Sequence, residues 1–217
     1  LIRDFAIPEH LLVGRAVTAR MVAPSTMTVD MPVGDGFVGM VDREHFDEWL
    51  RTRAALAGAE RLTARFDRIE RDSDGCAVVV AIADGREQRI RARCVIGADG
   101  ARSAVALHAL EGAERMPCVF AYHEVIRTPS SGFDRGRADV WYQHEVSPDF
   151  YGWVFAHGDT ASVGVGSALK GFGLRESVTA LRARTGLSDC ETLRREGAPI
   201  PLKPLRKWDN GRDVVVT

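Results

Sequence analysis

Residues 95–103, Val-Ile-Gly-Ala-Asp-Gly-Ala-Arg-Ser, are of the types that handle a dinucleotide. They follow an alternating stretch, 88–94, that is typical of a strand. A strand that breaks into Gly-Ala-Asp-Gly leaves backbone N–H groups and the Asp99 carboxylate at a sheet edge, where glycines let a ligand approach closely. The carboxylate can accept from ribose hydroxyls, while Arg102 and Ser103 lie within reach of phosphate oxygens. An ordinary Asp-Gly turn explains the same letters equally well.

Arg43 is a second candidate for binding phosphate. Residues 37–41 predict a short strand, Asp42 is a plausible N-cap, and apolar residues then recur at helical spacing until Gly58. Arg43 falls in the first turn, where the helix dipole disfavours a cation unless an anion also sits there. The alternative is a solvated surface arginine. The predicted strand, helix and following meander bring Arg43 and the turn at Asp99 towards one crevice.

The third feature is an aromatic alternation in Tyr151-Gly-Trp-Val-Phe155. Side chains two residues apart share one face of a strand, so Tyr151, Trp153 and Phe155 present a wide apolar wall. A packed sheet core is the plainer interpretation. The wall belongs to a predicted antiparallel sheet of four strands at 118–128, 138–144, 151–157 and 161–168.

Size and charge restrict the remaining possibilities. The chain has 217 residues, 45% of them hydrophobic, enough for a substantial core. Its 29 basic and 30 acidic residues leave a formal charge of −1, so no general attraction to nucleic acid or anionic lipid is expected. No apolar run approaches the roughly 20 residues that span a bilayer. The four cysteines are scattered, which argues against a zinc site or disulfide framework and favours a reducing compartment.

The other elements follow from turns and periodicity. Strands are predicted at 61–71, 76–83 and 86–96, an amphipathic helix at 173–186, and a further short helix around Leu193. The proline-rich stretch 198–204 should run extended. The chain starts at Leu1 without methionine and ends in an apolar β-branched run at 213–217 that predicts a buried strand. We therefore interpret the whole chain as the middle of a longer protein.

Four longer runs carry a resemblance to a known family. They are Val-Phe-Ala-Tyr-His-Glu at 119–124, Ser-Pro-Asp-Phe-Tyr-Gly-Trp-Val-Phe at 147–155, Glu-Gly-Ala-Pro-Ile-Pro-Leu-Lys-Pro at 196–204 and Trp-Asp-Asn-Gly-Arg-Asp at 208–213. In these runs and along its whole length the sequence resembles the flavin-dependent geranylgeranyl reductases, closely the branch that acts on geranylgeranyl diphosphate or geranylgeranyl (bacterio)chlorophyll.

The resemblance implies a mixed α/β fold like that of the aromatic-hydroxylase flavoproteins. Residues 1–112 would form a partial Rossmann-like FAD domain with a β-meander, 113–205 an antiparallel substrate domain, and 206–217 a return strand. Arg43 would contact FAD, the backbone near Phe66 would lie beside the adenine, and Asp99 with Gly100 would match a flavin-proximal motif. The family's N-terminal Gly-x-Gly-x-x-Gly unit and its C-terminal Gly-Asp motif have no counterpart in these letters.

The aromatic run resembles the family's prenyl-lipid signature Pro-x-x-Tyr-x-Trp-x-Phe-Pro, matched by Pro148, Tyr151, Trp153 and Phe155. Ala156 stands where the signature has its last proline, which affects the strand ending and not the aromatic wall. The resemblance thus implies Tyr151, Trp153 and Phe155 as substrate-binding residues.

The activity implied is saturation of geranylgeranyl double bonds with FAD and NADPH. The substrate would be geranylgeranyl diphosphate or a geranylgeranylated pigment, and the protein cytoplasmic with peripheral association to a photosynthetic membrane. We expect no metal. An unactivated alkene develops no oxyanion, so we also expect no acid–base triad and assign no catalytic residue. The candidate proton sources, each also explicable as structural, are His123, His144, His157 and Glu124. A flavin monooxygenase of the same fold and a non-catalytic prenyl-pigment-binding module are the alternatives.

Overall fold

The computed structural model describes residues 1–113 and 116–217. The chain divides into two compact units, each discontinuous in sequence. Unit 1 comprises Leu1–Ala59 and Val119–Ala198, and unit 2 comprises Glu60–Cys118 and Pro199–Thr217. The expected division into domains at residues 112 and 205 stays a prediction.

The described residues contain fourteen strands and three α-helices. The strands are β1 Leu12–Ala16, β2 Thr18–Val22, β3 Thr28–Pro32, β4 Val38–Val41, β5 Arg65–Arg71, β6 Ala77–Ala83, β7 Arg86–Ala92, β8 Val95–Gly97, β9 Cys118–Arg127, β10 Arg137–Trp141, β11 Gly152–His157, β12 Thr160–Ser167, β13 Thr192–Pro201 and β14 Val214–Val216. The helices are α1 Arg43–Leu56, α2 Ala104–Ala109 and α3 Leu174–Arg184.

Unit 1 is built on a seven-stranded sheet in the order β13-β9-β12-β11-β10-β2-β3. The predicted antiparallel pairing of β9, β12, β11 and β10 is confirmed, and β2 extends the sheet by a parallel pairing with β10. The sequence did not anticipate this extension, because β2 pairs with a strand more than a hundred residues away.

The core of unit 1 lies between this sheet and α3. Val154, Val163 and Val165 point from the sheet towards Val178 and Leu181 of the helix, and all five are buried. The helix expected at 173–186 is therefore confirmed, with its apolar stripe facing inwards.

A two-stranded antiparallel ribbon, β1 with β4, leads into α1 in the same unit. The Asp42 carboxylate accepts from the Glu44 N–H at 2.9 Å, as expected of an N-cap. None of the 14 residues of α1 is buried, so its first turn is open to a ligand.

Unit 2 contains the predicted meander, β5-β6-β7, and a separate parallel pair, β8 with β14. The single strand expected at 86–96 is wrong: β7 ends at Ala92 and β8 starts at Val95. The chain leaves the meander there because the Val95 N–H donates to the Asp213 carbonyl, which starts the parallel pairing.

The motif at 208–213 organises the approach to β14. The Asn210 side-chain oxygen accepts from the backbone N–H groups of Arg212, Asp213 and Val214 at 2.9–3.0 Å. Arg71 of β5 pairs with the Asp213 carboxylate and lowers the pKa of that group to about 2. The run at 208–213 thus holds the chain in place for the start of β14.

The short helix expected around Leu193 is wrong, because Leu193 lies within β13. This strand occupies the edge of the large sheet, and its pairing with β9 overrides the local helical preference. The edge position also explains how β13 accommodates Pro199 and Pro201, since an edge strand has N–H groups that need no partner in the sheet.

Candidate functional site

The aromatic side chains around β11 form a continuous row. Phe150 stacks on Tyr151 with ring centres 4.1 Å apart, and Trp153 lies 6.1 Å from Tyr151 and 6.2 Å from Phe155. This row, Phe150, Tyr151, Trp153 and Phe155, is called the aromatic face below. Its members lie on the side of the sheet opposite the core that packs on α3.

Small residues of β12 make room for these rings. An added Cβ at Gly164 would lie 2.1 Å from Trp153 Cζ2 and 2.6 Å from the Cβ of His123. A Cβ at Gly166 would lie 2.6 Å from Cδ1 of Phe150. Such distances are far inside van der Waals contact, so only glycine lets the rings lie flat on the sheet.

The aromatic face is only partly a packed core. Trp153 is 9% exposed, whereas Tyr151 and Phe155 are half-buried. Burial, together with the neighbouring Tyr142, raises the pKa of Tyr151 above its ordinary value, which keeps the phenol neutral. Trp153 therefore fits the packed interpretation, and its two neighbours leave surface for an apolar ligand.

A row of polar contacts crosses four strands beside the aromatic face. Trp153 Nε1 donates to Ser162 Oγ at 3.0 Å, and Ser162 Oγ lies 2.9 Å from His123 Nδ1. On the other side of the ring, His123 Nε2 lies 3.0 Å from Glu196 Oε2, and Arg194 pairs with the second oxygen of Glu196. We call Ser162, His123 and Glu196 the polar chain.

The polar chain lines a cleft of about 1330 Å³ in unit 1. Besides the polar chain, its charged and titratable lining consists of His10, Asp42, Arg43, Glu44, His157, Asp159 and Arg194. His157 Nδ1 lies 3.0 Å from the Phe155 carbonyl, and burial lowers the pKa of His157. The lining of the cleft therefore mixes acidic and basic side chains.

Arg43 lies at the edge of this cleft, in the first turn of α1. Its guanidinium pairs with Asp47 one turn later, with Nε–Oδ1 2.8 Å and Nη2–Oδ2 3.0 Å, and this pair raises the pKa of Arg43. The side chain is nevertheless 77% exposed, so its remaining N–H groups are accessible.

Asp99 is engaged by its own neighbourhood in unit 2. Ser103 Oγ donates to one carboxylate oxygen and the Val105 N–H to the other at 3.1 Å, which supports the start of α2, whose N-cap is Ser103. Burial alone would raise the pKa of Asp99, but these hydrogen bonds outweigh it and the pKa is lowered. The turn thus has a complete structural explanation beside the predicted nucleotide role.

The glycines of this turn differ in their function. A Cβ at Gly97 would lie 2.8 Å from the Cβ of Val105 and 3.0 Å from Val216 Cγ1, so Gly97 serves the close packing of α2 on the strands. Gly100 has φ of 83° and open space around it, which leaves it accessible.

Phe66 is half-buried on β5, and its ring lies edge-on to His108 with ring centres 5.9 Å apart. Because Arg43 belongs to unit 1 and these residues to unit 2, their convergence stays a prediction.

Of the candidate proton sources, His123 and His157 line the cleft. His144 is exposed. Glu124 is buried, pairs with Arg182 and Arg195, and accepts from the Tyr122 hydroxyl at 3.0 Å. Burial would raise the pKa of Glu124, but its partners dominate and lower it, so this carboxylate stays ionised and serves to join β9, α3 and β13.

Within residues 1–113 and 116–217, no three His, Cys, Asp or Glu side chains are grouped so that they could hold a metal ion. Among the same described residues, no helix is both long enough and apolar enough to cross a bilayer.

Solved structures identify the class of fold. A geranylgeranyl bacteriochlorophyll reductase-like protein from Thermoplasma acidophilum superposes with a TM-score of 0.82 at 18% identity, covering 99% of this chain and 57% of that one. The flavin-dependent brominase Bmp2 superposes with a TM-score of 0.75 at 15% identity, over 99% and 58%. The chain therefore has the mixed α/β fold of the flavin-dependent reductases and halogenases, as expected from the resemblance.

Sequence comparison then gives the family. The profile of the family described as lycopene cyclase protein matches residues 27–155, and the chain belongs to that family. It is homologous to geranylgeranyl diphosphate reductases. It is 54% identical to the reductase of Rhodobacter capsulatus, over all of this chain and 56% of the relative. It is 32% identical to the chloroplastic reductase of Oryza sativa, over all of this chain and 50% of the relative. The chain spans about half the length of these curated relatives.

Sequence reasoning singled out His123 but missed Ser162 and Glu196, its partners in the polar chain. They lie on β12 and β13, and strand pairing between residues far apart in sequence brings them together. One signal was present: Ser162, Gly164 and Gly166 alternate with apolar residues, as small residues do when they face bulky side chains on a neighbouring strand.

Proposed function

We propose that this chain is part of an FAD-dependent reductase that saturates the double bonds of a geranylgeranyl group with NADPH, in the biosynthesis of chlorophyll or bacteriochlorophyll. The observation that carries the proposal is the aromatic face, with its glycine-lined floor, beside a polar cleft. Homology to geranylgeranyl diphosphate reductases supports the prenyl substrate.

The aromatic face would bind the prenyl chain. A geranylgeranyl group has no polar atoms along its length, so binding must come from apolar contact area, for which half-buried rings are well suited. Tyr151 and Phe155 offer that surface, and Trp153 fixes their orientation from between them. Rigid rings lose little conformational entropy when they bind a flexible chain.

Several residues fit a dinucleotide. Arg43 presents an exposed guanidinium at the cleft beside the first turn of α1, and Gly100 has open space around it. We propose that Arg43, the backbone near Phe66, and Asp99 with Gly100 contribute to the FAD site. When bound, reduced flavin supplies hydride, and the chain's own task is to hold the alkene, exclude water and provide a proton.

The substrate is proposed to be geranylgeranyl diphosphate or a geranylgeranylated pigment, reached by peripheral association with a photosynthetic membrane. Digeranylgeranylglycerophospholipid reductase of Methanocaldococcus jannaschii is 35% identical over 64% of this chain, so relatives named for other prenyl lipids share part of the sequence. The polar group attached to the prenyl chain is therefore the feature to vary in a substrate test.

The decisive experiment uses the complete protein with bound flavin. Under anaerobic conditions with NADPH, we expect the flavin to bleach and each geranylgeranyl substrate that is accepted to gain two mass units per double bond. A flavin monooxygenase, which the structural likeness to aklavinone-11 hydroxylase makes the second candidate, would instead require oxygen and add its atom. A preparation that binds the pigment but lacks flavin absorbance would support a non-catalytic module and contradict the proposal.

A further inference from the structure

We propose that the polar chain Glu196–His123–Ser162 delivers a proton into the cleft, with Ser162 Oγ as the group that meets the substrate. This inference rests on the proposed function, because saturating an alkene needs a proton as well as a hydride. It adds named residues to a reaction for which the sequence provided no catalytic residue.

The direction of the chain follows from its donors and acceptors. His123 Nε2 lies 3.0 Å from Glu196 Oε2, and an ionised carboxylate has no proton to give, so this contact favours the tautomer with the proton on Nε2. In neutral His123 the other nitrogen, Nδ1, then accepts from the Ser162 hydroxyl. Every group in the chain is satisfied in this state, and Ser162 offers no proton to the cleft.

Protonating His123 changes where the Ser162 hydroxyl points. Both ring nitrogens of the imidazolium are donors, so Nδ1 now donates to Ser162 Oγ. This oxygen also accepts from Trp153 Nε1, which occupies both of its lone pairs. The Ser162 O–H must then donate elsewhere, and Ser162 lines the cleft.

The proposed step balances in atoms and electrons. When bound, reduced flavin would supply the hydride, a proton with two electrons, that one alkene carbon accepts. The Ser162 O–H bond breaks as its proton forms the C–H bond at the other carbon, and Ser162 takes the Nδ1 proton of His123. The ring ends as neutral imidazole, with its Nε2–H still facing Glu196.

The surroundings of His123 set the charge balance of this step. Glu196 and Arg194 face the cleft from β13. His157 and Asp159 line it from the β11–β12 hairpin, and the start of α1 contributes a further set of charged side chains. That set is Asp42, Arg43 and Glu44, with His10 ahead of β1. Glu196 is the carboxylate in direct contact with the ring, which makes it the positioning residue.

The first test needs no turnover. In nitrogen-resolved NMR of the flavin-loaded protein, neutral His123 should be the Nε2–H tautomer with Nδ1 as acceptor. The Nδ1–H tautomer would overturn the proposal, because Ser162 could not then give its hydroxyl proton to the ring.

The second test separates the proton from the hydride. His123→Gln should slow alkene saturation by about 100-fold, typical of losing a general acid, while flavin reduction by NADPH changes less than about twofold. Imidazole added to His123→Ala should restore part of the saturation rate, which a merely structural role would not allow. His144→Gln, an exposed histidine, is the matched control and should behave as wild type.

The outcomes also distinguish this inference from the proposed function. A wild-type protein that saturates geranylgeranyl substrates, with His123→Gln equally fast, would overturn the polar chain and leave the function intact. A wild-type protein that saturates none of them would overturn the function, and the proton-delivery role with it. Thermal melting of each variant excludes unfolding as the cause of lost activity.

Discussion

The aromatic face of unit 1 and the turn at Asp99 in unit 2 contrast in how their functional groups are used. The turn reads as a nucleotide site, yet both oxygens of Asp99 bond to the adjacent helix. The aromatic run reads as a sheet core, yet half-buried rings and a polar chain sit beside a large cleft. The polar groups of a short motif can hydrogen-bond within that motif, whereas a surface assembled from several strands can keep polar and apolar groups available for a ligand.

The largest expected effect is at the centre of the aromatic face. Trp153→Ala removes an indole that is 9% exposed and fills the space above Gly164. The free energy of unfolding should therefore fall by about 3–5 kcal/mol. Phe155→Ala is the comparison, because its ring is only half-buried and its removal should lower the free energy of unfolding by less. Chemical denaturation measures both. Equal stability of Trp153→Ala and wild type would mean that the indole is a free wall and not a packed one.

Unit 1 also depends on a buried charge. Arg182→Ala leaves Glu124 ionised and without its main partner, which should destabilise the protein by about 3–5 kcal/mol. The exposed pair Arg127–Glu191 provides the control: Arg127→Ala should cost about 1 kcal/mol or less. If denaturation curves gave both variants the same loss, the Glu124 cluster would not be what joins β9 to α3.

The sequence predicted most of the local elements of both regions. α1, α3 and the four-strand antiparallel block follow from apolar periodicity and, for α1, from its N-cap Asp42, signals that act over a few residues. The sequence predicts the terminal strand β14, but its pairing with β8 and the extension by β2 escaped prediction, because each depends on pairing between distant segments. The same reason explains the site: the alternation at Tyr151, Trp153 and Phe155 is readable, whereas the contact of His123 with Glu196 is not.

Asp99 gives the intermediate effect and tests the contrast directly. Asp99→Ala removes the carboxylate that accepts from the Val105 N–H at the start of α2 and from its N-cap Ser103, and should cost about 0.5–2 kcal/mol of stability. If that is its whole role, flavin affinity in the complete protein will stay normal. Loss of flavin beyond that of Ser103→Ala, which removes another hydrogen bond of the same cap, would return Asp99 to the nucleotide site. Thermal melting and flavin titration on the same samples give both quantities.

The buried His157 of unit 1 leads us to expect that the stability of the protein depends on pH. Burial lowers its pKa, so below pH of about 6.5 the unfolded chain binds a proton that the folded protein does not, and stability falls as the pH drops. His157→Gln should flatten this slope, and His144→Gln should not. Denaturation midpoints measured between about pH 7 and pH 5 provide the comparison. An unchanged slope in His157→Gln would mean that the ring is solvated in both states.

The smallest change in stability is expected for Arg43, and it is the sharpest test of a ligand role. The pair with Asp47 is one helical turn apart and exposed, so Arg43→Ala should alter unfolding by only about 0.2–0.5 kcal/mol. A guanidinium that binds a flavin phosphate would nevertheless contribute about 1.5–3 kcal/mol to binding, or more than tenfold in the dissociation constant. Arg51→Ala, on the same helix and also exposed, is the control. Normal flavin affinity in Arg43→Ala would leave it a surface residue paired with Asp47. Weak flavin with unchanged melting would instead assign the first turn of α1 to the cofactor, since no loss of fold could then account for the loss of binding.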